Sequence, residues 1–106
     1  MLAFTWTAGE KKLARSVFDK AVRSELAEFI SQFKAKADAV QNVKSIWIIR
    51  DWLDKREREI DAEYDFRYSQ LIRVFANLVR TGRLDLSELA GLSEGKIMAI
   101  KQISEI

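Results

Sequence analysis

The chain has 106 residues, of which 48% are apolar and 32% charged, enough for one domain with a real core and a water-facing surface. Cys and His are both absent, which excludes disulfides, thiolate chemistry, an imidazole base and the usual transition-metal ligands, so a non-enzymatic protein is expected. Net charge is only +2; no one-signed stripe suits nucleic acid and no apolar run approaches a bilayer's thickness, so neither nucleic-acid binding nor membrane insertion is expected.

Met1 to Thr7 lacks a basic stretch followed by an apolar run, so no secretory signal is expected and the compartment is read as cytoplasmic. The chain has no proline, and its four glycines (Gly9, Gly82, Gly91, Gly95) leave Glu10 to Thr81 free of both breakers. Long helices follow from that. A first helix is expected to start at Thr7, which with Glu10 makes a capping box. Its apolar stripe runs Phe18, Val22, Leu26, Phe29, Phe33, Ala37, Val40. Lys11, Lys12 and Arg15 read as plain surface.

The spacing resets at Gln41–Ser45, where Asn42 or Ser45 can cap a new helix. That second helix is expected to run from about Val43 to Arg80, with a heptad-like stripe of Ile46, Ile49, Leu53, Ile60, Tyr64, Leu71, Phe75 and Leu78. Gly82 supplies a left-handed cap. Asp85 and Glu88 form a second capping box for a short helix ending at Gly91, and Ser93 caps a last helix whose face is Ile97, Ile100 and Ile103, with Met98 beside it. The expected fold is all-α and one domain, residues 1–106: two long helices over about 7–82, and a helical head to which 83–106 contribute.

A helix from 43 to 80 would be roughly 57 Å long, against a diameter of roughly 35 Å for a compact domain of this size. The overshoot needs a second copy, and an antiparallel homodimer through the second helix is the simplest closed solution. Its expected interface is Ile46, Ile49, Leu53, Arg56, Ile60, Glu63, Tyr64 and Arg67. The polar middle of that stripe either faces water or sets Arg56 and Arg67 against Glu59, Glu63 or Asp65 across the two-fold axis, fixing register.

Two further features sit on the second helix. Trp47, Asp51 and Asp54 share a face at spacings of four and three, the composition of a partner-binding hot spot, although Trp47 could equally pack in the dimer seam. Residues 51–67 hold seven acids against four bases. The pairs Glu57/Asp61, Glu59/Glu63 and Asp61/Asp65 have the spacing to hold a hard cation, but helices this charged usually present a solvated face.

Residues 57–82, with Glu59-Ile60-Asp61, Tyr64-Asp65, Arg67, Ser69, Ile72, Val74-Phe75-Ala76, Leu78 and Gly82, resemble the fluorescence recovery protein family of cyanobacteria. Trp47 and Asp51, the start Trp6-Thr7 with Glu10, Phe18, Ala21 and Glu25-Leu26, and the end Glu88-Leu89, Leu92 and Lys96 also fit, so the likeness spans nearly the whole chain. It implies an all-helical homodimer that binds no cofactor. Its client would be the photoactivated orange carotenoid protein, which it returns to the dark form and detaches from the phycobilisome, near the cytoplasmic face of thylakoids, ending photoprotective quenching. Trp47 and Asp51 match the family's central patch. Arg50 stands where the family often has His, Glu57 where it has Arg, Arg73 where an aromatic is expected, and Ala99 where a base is expected. The partner-binding residues implied by face and resemblance together are thus Trp47, Arg50, Asp51, Asp54, Glu57 and Arg73. Two readings follow: a working fluorescence recovery protein with changed charges, or a related dimeric scaffold that binds a different protein in an organism without the carotenoid protein.

Overall fold

A computed structural model describes residues 4–106; the first three residues of the opening stretch read for a secretory signal lie outside it. Four α-helices and one 3₁₀ turn make up the regular structure among the described residues, with no strand: α1 Ala8–Asp38, α2 Val43–Glu63, α3 Leu71–Arg80, the turn Leu86–Leu89, and α4 Glu94–Ser104. The helix starts are where the capping residues put them. Thr7 and Glu10 exchange side chain-to-backbone bonds of 3.1 and 3.0 Å, Asn42 accepts from the Ser45 N–H at 2.9 Å, Asp85 and Glu88 form the second box, and Ser93 caps α4. Gly82 takes φ +78° after α3, a conformation that costs a side chain-bearing residue strain.

The expected second helix of 43 to 80 does not exist as one rod. It ends at Glu63, and residues 64–70 form a connector before α3 begins. The cause is aromatic packing. Tyr64, Phe66 and Tyr68 alternate with Asp65 and Arg67, a period of two that suits extended chain better than helix. Phe66 packs edge-on to Phe18 with ring centroids 4.9 Å apart, Tyr64 meets Phe18 at 5.5 Å, and Tyr68 lies 5.8 Å from Trp6. Arg15 covers the Phe66 ring at 3.5 Å. Packing Tyr64 and Phe66 on Phe18 of α1, with Tyr68 laid on Trp6 just before it, outweighs the few tenths of a kcal/mol per residue that helix propensity offers.

The molecule therefore has two unequal halves. In the head, Ala14, Val17, Phe18 and Ala21 of α1 pack on Leu71, Val74, Phe75 and Leu78 of α3, closed by Leu84, Leu89, Leu92, Ala99 and Ile100. The other half is a bare two-helix hairpin: from Leu26 through Glu63 no residue is buried. At about 1.5 Å per residue α1 alone is about 46 Å long, and the molecule measures 53 × 24 × 22 Å, with a radius of gyration of 16.8 Å. The overshoot inferred from the sequence is present, but α1 and the hairpin carry it, not a continuous second helix.

One polar hub fixes the hairpin to the head. Glu25 is 3% exposed, accepts from the Tyr64 hydroxyl at 2.7 Å and from Arg56 at 3.1 Å, and forms an ion pair with Arg83 at 3.0 Å. Arg83 also reaches Glu28 at 2.9 Å. The hub joins α1, α2, the connector and the chain after α3, so charge-assisted bonds fasten the end of α2 to α1, which runs unbroken through both halves.

Candidate partner-binding surface

The hairpin holds itself together along one seam. Phe29 of α1 and Trp52 of α2 meet with centroids 5.2 Å apart, and the Lys36 ammonium caps the Trp52 ring at 4.9 Å. Beside that seam runs a shallow groove of about 380 Å³ lined by Leu26, Phe29, Leu53, Glu57, Ile60 and Asp61. Seven of the ten large apolar side chains exposed among the described residues stand on the hairpin: Leu26, Ile30 and Phe33 from α1, and Val43, Ile46, Trp47 and Ile48 around α2. Apolar side chains gathered this way mark an interaction surface rather than chance exposure.

The sequence-expected site residues divide into three groups. Trp47, Arg50, Asp51 and Asp54 lie together on the side of α2 turned away from α1, all exposed. Trp47 keeps 51% of its surface in water. The Arg50 guanidinium sits 5.4 Å from the centre of its ring and 3.2 Å from the Asp51 carboxylate, so an aromatic, a base and an acid form one small cluster. Glu57 is one turn further on, at the rim of the apolar groove. Arg73 is not with them: it lies on α3 in the head, where its Nε donates to Gln70 at 3.1 Å. It lines a cleft with Glu59, Ala62, Glu63, Asn77 and Thr81. Ala99, the other departure in the head, is buried in the core.

Of the residues expected at the dimer interface, Ile46, Ile49, Leu53 and Ile60 do form one stripe on α2, none of them fully covered by the chain's own atoms. The polar members have partners within the chain. Arg56 turns inward to Glu25 and also bonds Glu59 at 3.0 Å, and Arg67 pairs with Asp65 at 2.9 Å in its own connector. Both arginines are thus satisfied within one chain and require no carboxylate across a two-fold axis. Tyr64 and Arg67 lie beyond the end of α2, so neither is on its stripe; Tyr64 belongs to the hub and the head. Glu63 is the last residue of α2, and loss of water, with the charge of Glu25 adding to it, raises its carboxyl to about 7.

Sequence reasoning missed Glu25 and Arg83. Glu25 stands four residues after Ala21 and seven after Phe18, on the buried face of α1. A charged residue at an apolar register position was the legible signal. The share of α1 in the exposed surface was also missed: Leu26 and Phe33, two members of its apolar stripe, stand exposed.

No cluster of three or more Asp and Glu residues is placed to hold a metal among the described residues, and no described helix is long and apolar enough to cross a membrane.

Comparison with known proteins gives one consistent result. The family model for the photoprotection regulator fluorescence recovery protein matches residues 6–104. The fluorescence recovery protein of Synechocystis sp. PCC 6803 is 32% identical over 101 residues, which is 95% of this chain and 93% of that protein. Its solved structure superposes with a TM-score of 0.92 at 31% identity, covering 96% of this chain and all of that one. The structure of the Fremyella diplosiphon fluorescence recovery protein does so equally well, with a TM-score of 0.92, 33% identity and the same coverage. An all-helical head and hairpin and a match across nearly the whole length agree: this chain belongs to the fluorescence recovery protein family of photoprotection regulators.

Proposed function

We propose that the protein works as a homodimer that binds the photoactivated orange carotenoid protein and speeds its return to the dark form, so ending phycobilisome quenching. It acts as a binding protein and not as an enzyme. The observation that carries this reading is the uncovered hairpin. It has one apolar stripe (Ile46, Leu53, Ile60, with Leu26 and Ile30 of α1) for a second copy, and on α2 a separate exposed Trp47–Arg50–Asp51 cluster for a client. The action is a population shift: a protein that prefers a conformation of its client on the way back to the dark form lowers the route to it.

Trp47 is the anchor. A half-exposed indole on a rigid helix, already stacked by Arg50, loses little freedom when a partner covers it. Trp47→Ala is expected to cut the acceleration of colour recovery by about 30-fold, the equivalent of roughly 2 kcal/mol for a central hot spot, with the fold unchanged by circular dichroism. Full acceleration by that variant would remove Trp47 from the site.

One set of observations favours a second reading. Arg50, Glu57 and Arg73 carry charges that differ from those implied by the family resemblance, and all three are exposed. Like-charge contacts at an interface cost affinity and decide between partners. A different protein client on the same scaffold would account for them. Mixing the protein in excess with the photoconverted carotenoid protein separates the two: accelerated recovery supports the first reading, and an unchanged rate supports the second.

A further inference from the structure

The head half of α1 sorts its charges by depth. From Lys11 to Ser24 every exposed side chain is a base (Lys11, Lys12, Arg15, Lys20, Arg23) or a serine. In the sequence, Glu10, Asp19 and Glu25 break up that run of bases. In the fold they do not. Glu10 and Glu25 are buried at its two ends, where Lys96 meets the first and Arg56 and Arg83 meet the second. Asp19 is half-buried and paired with Arg15 at 3.4 Å. Five like charges are thus left along roughly 18 Å of one helix. A ridge of one sign sets up a field that interleaved charges would cancel.

We propose that this ridge of α1 is a docking face for an acidic surface on a partner protein. Two of its bases are held ready. Lys11 lies over the Tyr68 ring at 5.0 Å and Arg15 over the Phe66 ring at 3.5 Å, so each loses less freedom when a carboxylate arrives. Lys20 bonds Glu88 of the 3₁₀ turn at 2.8 Å. Lys12 and Arg23 form no ion pair among the described residues.

The surroundings of the ridge favour protein carboxylates over other anions. Leu13 and Val22, the half-buried apolar residues between the bases, pack on the core, so the ridge offers no apolar wedge for a bilayer and no ring on which a nucleobase could stack. With the five bases set aside, the rest of the chain is net negative. A long polyanion or an anionic lipid sheet is repelled beyond the ridge, whereas a compact cluster of Asp and Glu on a protein meets the ridge alone. The ridge lies on the head half of α1 and Trp47 near the hairpin tip, so the two surfaces can be occupied together.

Amide NMR titration of the whole protein with a short peptide of alternating Asp and Glu tests this. Shifts are expected in residues 11–24, with a dissociation constant that rises about tenfold or more between about 20 and about 200 mM NaCl. Lys12→Glu combined with Arg23→Glu is expected to weaken binding by about tenfold or more with an unchanged melting temperature. Lys55→Glu combined with Arg58→Glu makes the same change of charge on exposed positions of α2 and is expected to leave binding within about twofold. No binding, shifts centred outside 11–24, or equal weakening by the two double variants overturns the proposal. So does equal or tighter binding of a DNA duplex, or of phosphatidylcholine vesicles containing about one-third phosphatidylglycerol. None of these measurements involves the carotenoid protein, so the ridge stands or falls apart from the proposed function.

Discussion

Replacing Lys96 with Met is expected to destabilise the protein by about 3–5 kcal/mol, a drop in melting temperature on the order of 15 °C for a chain of this size. Lys96 is 4% exposed, and its ammonium lies 3.1 Å from both oxygens of Glu10, which is 7% exposed. It also donates to the Thr5 carbonyl at 2.7 Å and lies 4.9 Å from the Trp6 ring. Met fills a similar volume but leaves the Glu10 carboxylate buried without its cation. Most of the loss comes from that stranded charge rather than from the pair itself, so Glu10→Gln combined with Lys96→Met should recover a large part of it. Thermal melts of the two variants check both statements.

The same residue predicts the acid limb. The Thr7 N–H holds Glu10 down most strongly; against the cost of burial, the Ser93 N–H and the Lys96 ammonium help bring its carboxyl to about 2. A lowered folded value means stability that is present above about 4.5 and lost as pH falls through about 2. Removing Lys96 should move the acid midpoint to higher pH.

A second large effect is expected at Ile46. In a single chain Ile46 is 46% exposed on a helix surface, where Glu is a good helix former and the change should fall within about 0.5 kcal/mol. If a second copy covers that face, Ile46→Glu buries a carboxylate among apolar groups at a cost of several kcal/mol, and the dimer dissociation constant should rise by 10² or more. Sedimentation at micromolar concentration should then find mainly single chains in the variant. An unchanged assembly would place the interface elsewhere on the molecule.

Much of the fold could be read without coordinates because it rests on local rules. Both capping boxes, the Asn42 and Ser93 caps and the Gly82 turn depend on a few neighbouring residues, and each is where the residues put it. The break after Glu63 depends on residues far away in the chain. Phe18 and Trp6 draw Tyr64, Phe66 and Tyr68 onto α1, and no Gly or Pro marks the spot. The alternating aromatics were the only local sign, and a longer helical stripe on either side hid them. The Trp47, Asp51, Asp54 line was legible because a helix face is set by spacing alone. Glu59 and Asp65 were legible as carboxylates for Arg56 and Arg67, though they pair within one chain; Glu25 as the second partner of Arg56 was not, since spacing says nothing of a residue on another helix.

The unfinished hairpin is the feature from which the dimer, the client surface and the consequence of Ile46→Glu all follow. A hairpin with no buried residue from Leu26 through Glu63 gains little of the stability that helices draw from packing, yet α1 and α2 extend unbroken to its tip. Sedimentation equilibrium of the unaltered protein at micromolar concentration, with hydrogen exchange on the same sample, tests this directly. The account predicts twice the 12.3 kDa chain mass and protection of residues 26–63 that falls away on dilution. A 12.3 kDa particle whose hairpin amides are as protected as those of the head would contradict it.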